Sequence, residues 1–151
     1  INLSASTVAE PGSIRAVEAL LKKHRLAASR LWVEVAENGV FKHLDQFRSL
    51  CQMLHQYHCH VGVEHFGRQF SQIGQFHDLG LDYVKFDASF IRRLESSPGN
   101  QAFLKGASTI AHGIGLQVIA EGVVTTEEFS ALVAAGFDGA TGPGVKTATL
   151  D

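Results

Sequence analysis

The sequence predicts an α/β chain in which a parallel sheet carries its helices outside, of the (β/α)8-barrel kind, with six strand–helix units present. Three observations predict it. Short apolar runs alternate with stretches of helical period along the whole chain. The stretches between runs are long enough for the crossovers that parallel strands need. No Gly-x-Gly-x-x-Gly run follows any strand, which counts against a doubly wound nucleotide-binding sheet.

Residues 1–3 read as the end of a strand, without an initiator Met. Pro11 and Ser13 suit the start of a helix over residues 14–25, where Ile14, Val17, Ala19, Leu20 and Leu21 gather near one face. Residues 31–36 (LWVEVA) form a strand. Leu44, Phe47, Leu50, Cys51 and Leu54 repeat at helical spacing over residues 44–57. Residues 60–64 (HVGVE) give a strand, followed by a Gly-containing loop and a short helix to Leu79. Residues 81–86 are a strand, 100–113 a helix and 116–120 (LQVIA) a strand. A helix over residues 125–135 takes Thr125 or Thr126 as its cap, with Glu127 and Glu128 in its first turn. Residues 137–141 are the last strand.

The 151 residues are 45% hydrophobic and 19% charged, as in a packed globular chain, with net charge -2. No basic stripe marks a nucleic acid duplex or membrane surface, and no apolar run approaches the roughly 20 residues of a membrane span. Cys51 and Cys59 make no disulfide framework and fit a cytoplasmic interior. His55 and His58 sit at a helix end without any Cys-x-x-Cys pairing, which favours a structural role over zinc. Most of Phe66, Phe70, Phe76, Phe86 and Phe90 belong to the core, with Phe70 a candidate for an interface; Arg92 and Arg93 read as surface residues.

Active sites of such barrels lie at the C-terminal ends of strands. Those ends carry Asn2, Glu34, Glu64 with His65, Lys85 with Asp87, Glu121, and Thr141. One polar residue there is a solvated cap; six in succession would converge on one mouth. Asn2, Glu34, Glu64 and Glu121 offer the oxygens that Mg²⁺ and Mn²⁺ prefer. Lys85 supplies a point charge for a phosphate or orients a water. Together they describe metal-assisted phosphodiester chemistry.

INLS, VEVAEN, VEHFG, DYVKFDASFI and VIAEGVVTTEEF, in that order, resemble successive motifs of the EAL phosphodiesterase family. The resemblance implies a TIM-like (β/α)8 barrel, here its last six βα units, with residues 1–151 the C-terminal part of a single domain and the first strands upstream. A bare six-strand piece would expose two unpaired edges, so it is not expected to fold well alone. The family hydrolyses cyclic-di-GMP with two divalent ions. By resemblance Asn2, Glu34 and Glu121 fall on metal-ligand positions and Lys85 on the lysine beside the attacking water. Glu37 falls on the glutamate anchoring the loop after the fifth barrel strand.

The chain departs from that pattern. Glu64-His65 replaces adjacent aspartates that hold two ions about 3.5–4 Å apart. Gln69 replaces a loop glycine, Thr141 a glutamine and Val124 an acidic residue that helps read a guanine. The chain resembles degenerate receptors of the LapD kind. The expectation is therefore a cytoplasmic module, or the cytoplasmic part of an inner-membrane receptor, that binds cyclic-di-GMP through Asn2, Glu34, Lys85, Asp87, Glu121 and Gly122. It would signal through neighbouring domains or a homodimer. It would require no cofactor, with Glu64, His65 and the other metal positions as remnants. The alternative is an active phosphodiesterase using Mg²⁺ or Mn²⁺. Lys146 reads as a solvated loop lysine, with a phosphate contact as the alternative.

Overall fold

The computed structural model describes residues 1–145. The chain divides into two compact units, Ile1–Val84 and the residues from Lys85 onward. In the first lie β1 (Asn2–Leu3), α1 (Ala5–Ala9), α2 (Pro11–Lys23), α3 (Arg25–Ala28), β2 (Trp32–Ala36), α4 (Glu37–Lys42), α5 (Leu44–Gln56), β3 (His60–Phe66), a 3₁₀ turn over Phe70–Phe76, and the start of β4 (Tyr83–Phe86). In the second lie the end of β4, α6 (Ala88–Ile91), a 3₁₀ turn over Leu94–Ser96, α7 (Pro98–Gly113), β5 (Gln117–Ala120), α8 (Thr126–Ala134) and β6 (Gly139–Ala140). The strands neighbour one another in chain order, β1 to β6. β1 pairs with β2, β2 with β3, and β5 with β6, all in parallel. This is the α/β architecture that the alternating pattern predicts. Among the described residues no helix is long and apolar enough to cross a membrane.

Each unit packs its helices by the same rule. In α5 the buried Phe47, Leu50, Cys51 and Leu54 fall at i, i+3, i+4 and i+7, one stripe. Burial pushes the Cys51 thiol up to about 12, so it packs as a small neutral hydrophobe. Val33, Val35, Val61 and Val63, alternate residues of β2 and β3, are fully buried. In the second unit Leu104, Ala107, Ser108 and Ala111 repeat that stripe on α7. Phe86 lies edge-on to Phe137 with centroids 5.6 Å apart. Phe66, Phe76 and Phe86 are buried, whereas Phe70 and Phe90 are half-buried; Arg92 and Arg93 are exposed.

Several boundaries differ from the sequence reading. The short helices α1, α4 and α6 were not expected, because four to six residues show no period; each begins just beyond a strand. β3 continues two residues beyond Glu64, to Phe66, so Glu64 and His65 lie within it; β2 ends at Ala36, as the sequence predicts, with Glu34 two residues before that end. β4 starts at Tyr83 rather than at residue 81 and ends at Phe86 as expected, with Lys85 inside it, and β6 is only two residues long. Polar residues can occupy strand interiors here because their alternate neighbours supply the apolar face. Thr125 is the α8 cap, its hydroxyl accepting from the Glu128 N–H at 3.1 Å. α5 ends at Gln56, leaving His58 outside it with φ 60.

An aspartate clamps the foot of each unit. Asp82, just before β4, accepts the Val61 N–H at 2.7 Å and lies 3.3 Å from His55 Nε2. Asp138, just before β6, accepts the Val118 N–H at 2.7 Å and meets His112 Nε2 at 2.7 Å. Burial alone would raise the Asp138 pKa, but hydrogen bonds from His112 and Val118 hold it below its ordinary 3.8. A folded-state pKa below the unfolded one gives stability that is present above the unfolded value and lost as pH falls through the folded one. Chemical unfolding midpoints followed from about pH 6 to about pH 3 should therefore drop more steeply for the native protein than for Asp138→Asn. Equal slopes would remove Asp138 from the acid response.

Candidate functional site

The first unit gathers its polar groups on one face of β1–β3. Asn2 is in register with Glu34, Glu34 with Gly62, and Ala36 with Glu64. Asn2, Glu34, Gly62 and Glu64 thus share a face, with the Glu64 Cα two residues further along. Glu34 is 7% exposed, and its Oε1 accepts the Tyr83 hydroxyl at 3.0 Å. Burial, then the Glu34 charge and hydrogen bond, push the Tyr83 phenol up, so it stays a donor. The ring reaches Glu34 across Gly62, where an added Cβ would come within 2.2 Å of Tyr83 Cε2. Trp32 backs the ring at a centroid distance of 4.9 Å.

Glu64 Oε2 accepts the Asn2 side-chain amide at 2.9 Å. Because a carboxylate has no proton to give, Asn2 turns its NH₂ end to Glu64. The next residue, His65, is exposed and adopts φ 52, a left-handed backbone costly for most side chains. It is the penultimate residue of β3, one before the chain leaves for the loop that follows. Glu37, 4% exposed, holds that loop: its Oε1 accepts the N–H groups of Gly67 and Gln69, each at 3.0 Å.

The second unit holds the remaining candidates. Asp87 caps α6, Oδ1 accepting the Ser89 N–H at 2.9 Å. Lys85, Asp87, Glu121 and Gly122 are all half-buried. The Glu121 N–H donates to the Phe86 carbonyl at 3.0 Å, which fixes β5 beside β4. Gly122 has φ 69, and a Cβ there would lie 2.7 Å from that of Ala88. Thr141 turns its hydroxyl back to the Ala120 carbonyl at 3.3 Å. Lys146 lies outside the described residues.

The family model for the EAL domain matches residues 1–147. This chain belongs to the EAL domain family. Among curated relatives, cyclic di-GMP phosphodiesterase PdeR of Escherichia coli is 26% identical over 138 residues, covering 91% of this chain and 21% of PdeR. The chain spans about a fifth of the length of the curated relatives it matches. Among solved structures, the FimX EAL domain of Pseudomonas aeruginosa bound to c-di-GMP matches with a TM-score of 0.85 at 26% identity, covering 93% of this chain and 58% of that one. The LapD S helix-GGDEF-EAL structure of Vibrio cholerae bound to c-di-GMP matches with a TM-score of 0.83 at 25% identity, covering 91% of this chain and 34% of that one.

Two residues of this EAL domain escaped the sequence reading. Tyr83 reads as an ordinary strand aromatic, and nothing local announces its bond to Glu34. Glu128 reads as a first-turn acid of α8, although Thr125-x-x-Glu128 is the pattern of a capping box. Removing the Glu37 carboxylate strands two loop N–H groups. Glu37→Ala should lower unfolding stability by about 1–3 kcal/mol and speed amide exchange at Gly67 and Gln69. Unchanged exchange at those amides would show that the loop has another anchor.

Proposed function

We propose that this chain binds cyclic-di-GMP as a receptor module without efficient phosphodiesterase activity. The observation that carries the reading is the state of the oxygen donors in the first unit. Glu34 accepts from Tyr83 and Glu64 from Asn2, so each carboxylate already has a protein donor on one oxygen. The amide that would turn an oxygen to a hard cation turns its NH₂ to Glu64 instead. Adjacent to it, His65 offers a soft nitrogen where two hard ions would need a second carboxylate. The set does not fit a two-ion centre, and no catalytic step is assigned to it.

Ligand binding needs less. Lys85 would pair with a phosphate, Asp87 and Glu121 would accept from the guanine or ribose, and Asn2 and Glu34 would complete the hydrogen bonds. Close approach of a ligand to backbone is easiest at Gly122. The FimX and LapD structures bound to c-di-GMP support this ligand class for the fold. A binding module acts by different affinity for two states, so neighbouring domains or a second copy would read out the ligand. The same reading places the module in the cytoplasm.

A second reading is kept because Asn2, Glu34 and Glu64 still present oxygens on one sheet face, and PdeR is named a phosphodiesterase. In that case Mg²⁺ or Mn²⁺ would be required. Calorimetry in excess chelator should give binding of cyclic-di-GMP, and incubation with Mn²⁺ followed by chromatography should leave the dinucleotide cyclic. Linear product that disappears in Lys85→Ala would establish the enzyme instead, and absence of binding would end the receptor reading.

A further inference from the structure

The second unit contains a buried carboxylate that touches none of the proposed ligand groups yet ties together the segments carrying them. Glu128 is 3% exposed. Its Oε1 accepts the Arg93 N–H at 2.9 Å, and its Oε2 accepts the N–H groups of Val124 at 2.8 Å and Thr125 at 3.4 Å. The first partner ends the segment that begins at Asp87, where α6 leads into Arg93. The other two follow Glu121 and Gly122 after one intervening residue, Val123. One side chain therefore spans the loop after β4 and the loop after β5.

The two loops have little freedom to slide. Gly122 approaches Ala88 so closely that a Cβ would lie 2.7 Å from the Ala88 Cβ. Arg93 is held at φ 57, a left-handed conformation in a non-glycine residue, at the point where Glu128 grips its N–H. Strain of this kind persists where surroundings over-determine it. The loop after β6 joins the same assembly: Val123 N–H donates to the Thr141 carbonyl at 3.0 Å, and Gly144 N–H to the Val123 carbonyl at 2.9 Å. Cβ atoms at Gly142 and Gly144 would meet the Val123 and Val124 backbone at 2.4 Å. Burial alone would raise the Glu128 pKa, but the three N–H donors, with Arg92 nearby, bring it below its ordinary 4.5. It is thus a carboxylate whose donors are backbone amides of two different loops.

We infer that Glu128 is the positioning residue of the dinucleotide site, fixing Asp87 and Gly122 relative to each other through the backbone of Arg93, Val124 and Thr125. This assignment rests on the receptor reading given above. Glutamine keeps the shape of Glu128 but turns an NH₂ toward one set of amides, so one loop tie is lost. A carboxylate that only caps α8 would change stability when altered; one that positions the loops would also change affinity in the folded state.

Calorimetry with cyclic-di-GMP is run on the native protein, Glu128→Gln, Glu128→Ala and Ser108→Ala, at a temperature where circular dichroism shows each to be fully folded. Ser108 is equally buried, bonding the Ala135 carbonyl at 2.6 Å, and belongs to neither loop. Expected is an affinity about tenfold weaker in Glu128→Gln, one strong hydrogen bond's worth, with native affinity in Ser108→Ala despite its lower stability. Amide exchange should quicken at Arg93 and Val124 in Glu128→Gln alone. If Glu128→Ala does not fold, Glu128→Gln carries the comparison. Native affinity in a folded Glu128→Gln overturns the assignment and leaves the receptor reading intact. Failure of the native protein itself to bind overturns both.

Discussion

A carboxylate taken out of water must find donors for its oxygens, and that constraint organises this domain. Three of the four buried polar residues among those described are glutamates, Glu34, Glu37 and Glu128. Each solves the problem with a different donor: a tyrosine hydroxyl, the amides of one loop, and the amides of two loops. Leaving such a group unpaired would cost several kcal/mol, a large part of the about 5–15 kcal/mol that a domain has in hand. The loops at the carboxyl ends of the strands are consequently held by buried charge as well as by apolar contact.

The parallel register supplies the other half of the design. Because Asn2, Glu34 and Gly62 are level across three strands, the glycine leaves a gap on the same face as two polar side chains. Tyr83 fills that gap and reaches Glu34. A side chain at position 62 would displace the ring and leave Glu34 without that donor. The hydrogen bond and the glycine are thus one feature, and it bears on the proposed function because Glu34 is one of the residues proposed to meet the ligand.

The sequence made the architecture legible because the signals were periodic. The stripe of α5 and the short apolar runs of β2 and β3 could be read from spacing alone, and the spacing of strands to helices required a parallel sheet. The family was legible from five motifs in order, and the match over residues 1–147 agrees. Less legible were the extents of strands. Glu64 looks like a strand-end residue because a charged residue closes the apolar run HVGV, yet β3 continues two residues beyond it; β2 ends at Ala36 as its pattern predicts. Least legible were groups whose roles depend on long-range contacts: Tyr83 is 49 residues from Glu34, and Arg93 is 35 from Glu128. No local pattern encodes such a pairing; only the folded sheet creates it.

The proposal is that a protein donor on one oxygen of Glu34 and on one oxygen of Glu64 leaves the domain holding its ligand without seating a pair of cations. The most direct measurement is anomalous diffraction from crystals grown with cyclic-di-GMP and Mn²⁺. Expected is density for the dinucleotide with the Tyr83–Glu34 and Asn2–Glu64 hydrogen bonds retained and no pair of anomalous peaks beside them. Two ordered manganese ions coordinated by Glu34, Glu64 and Asn2 beneath the ligand would contradict the account.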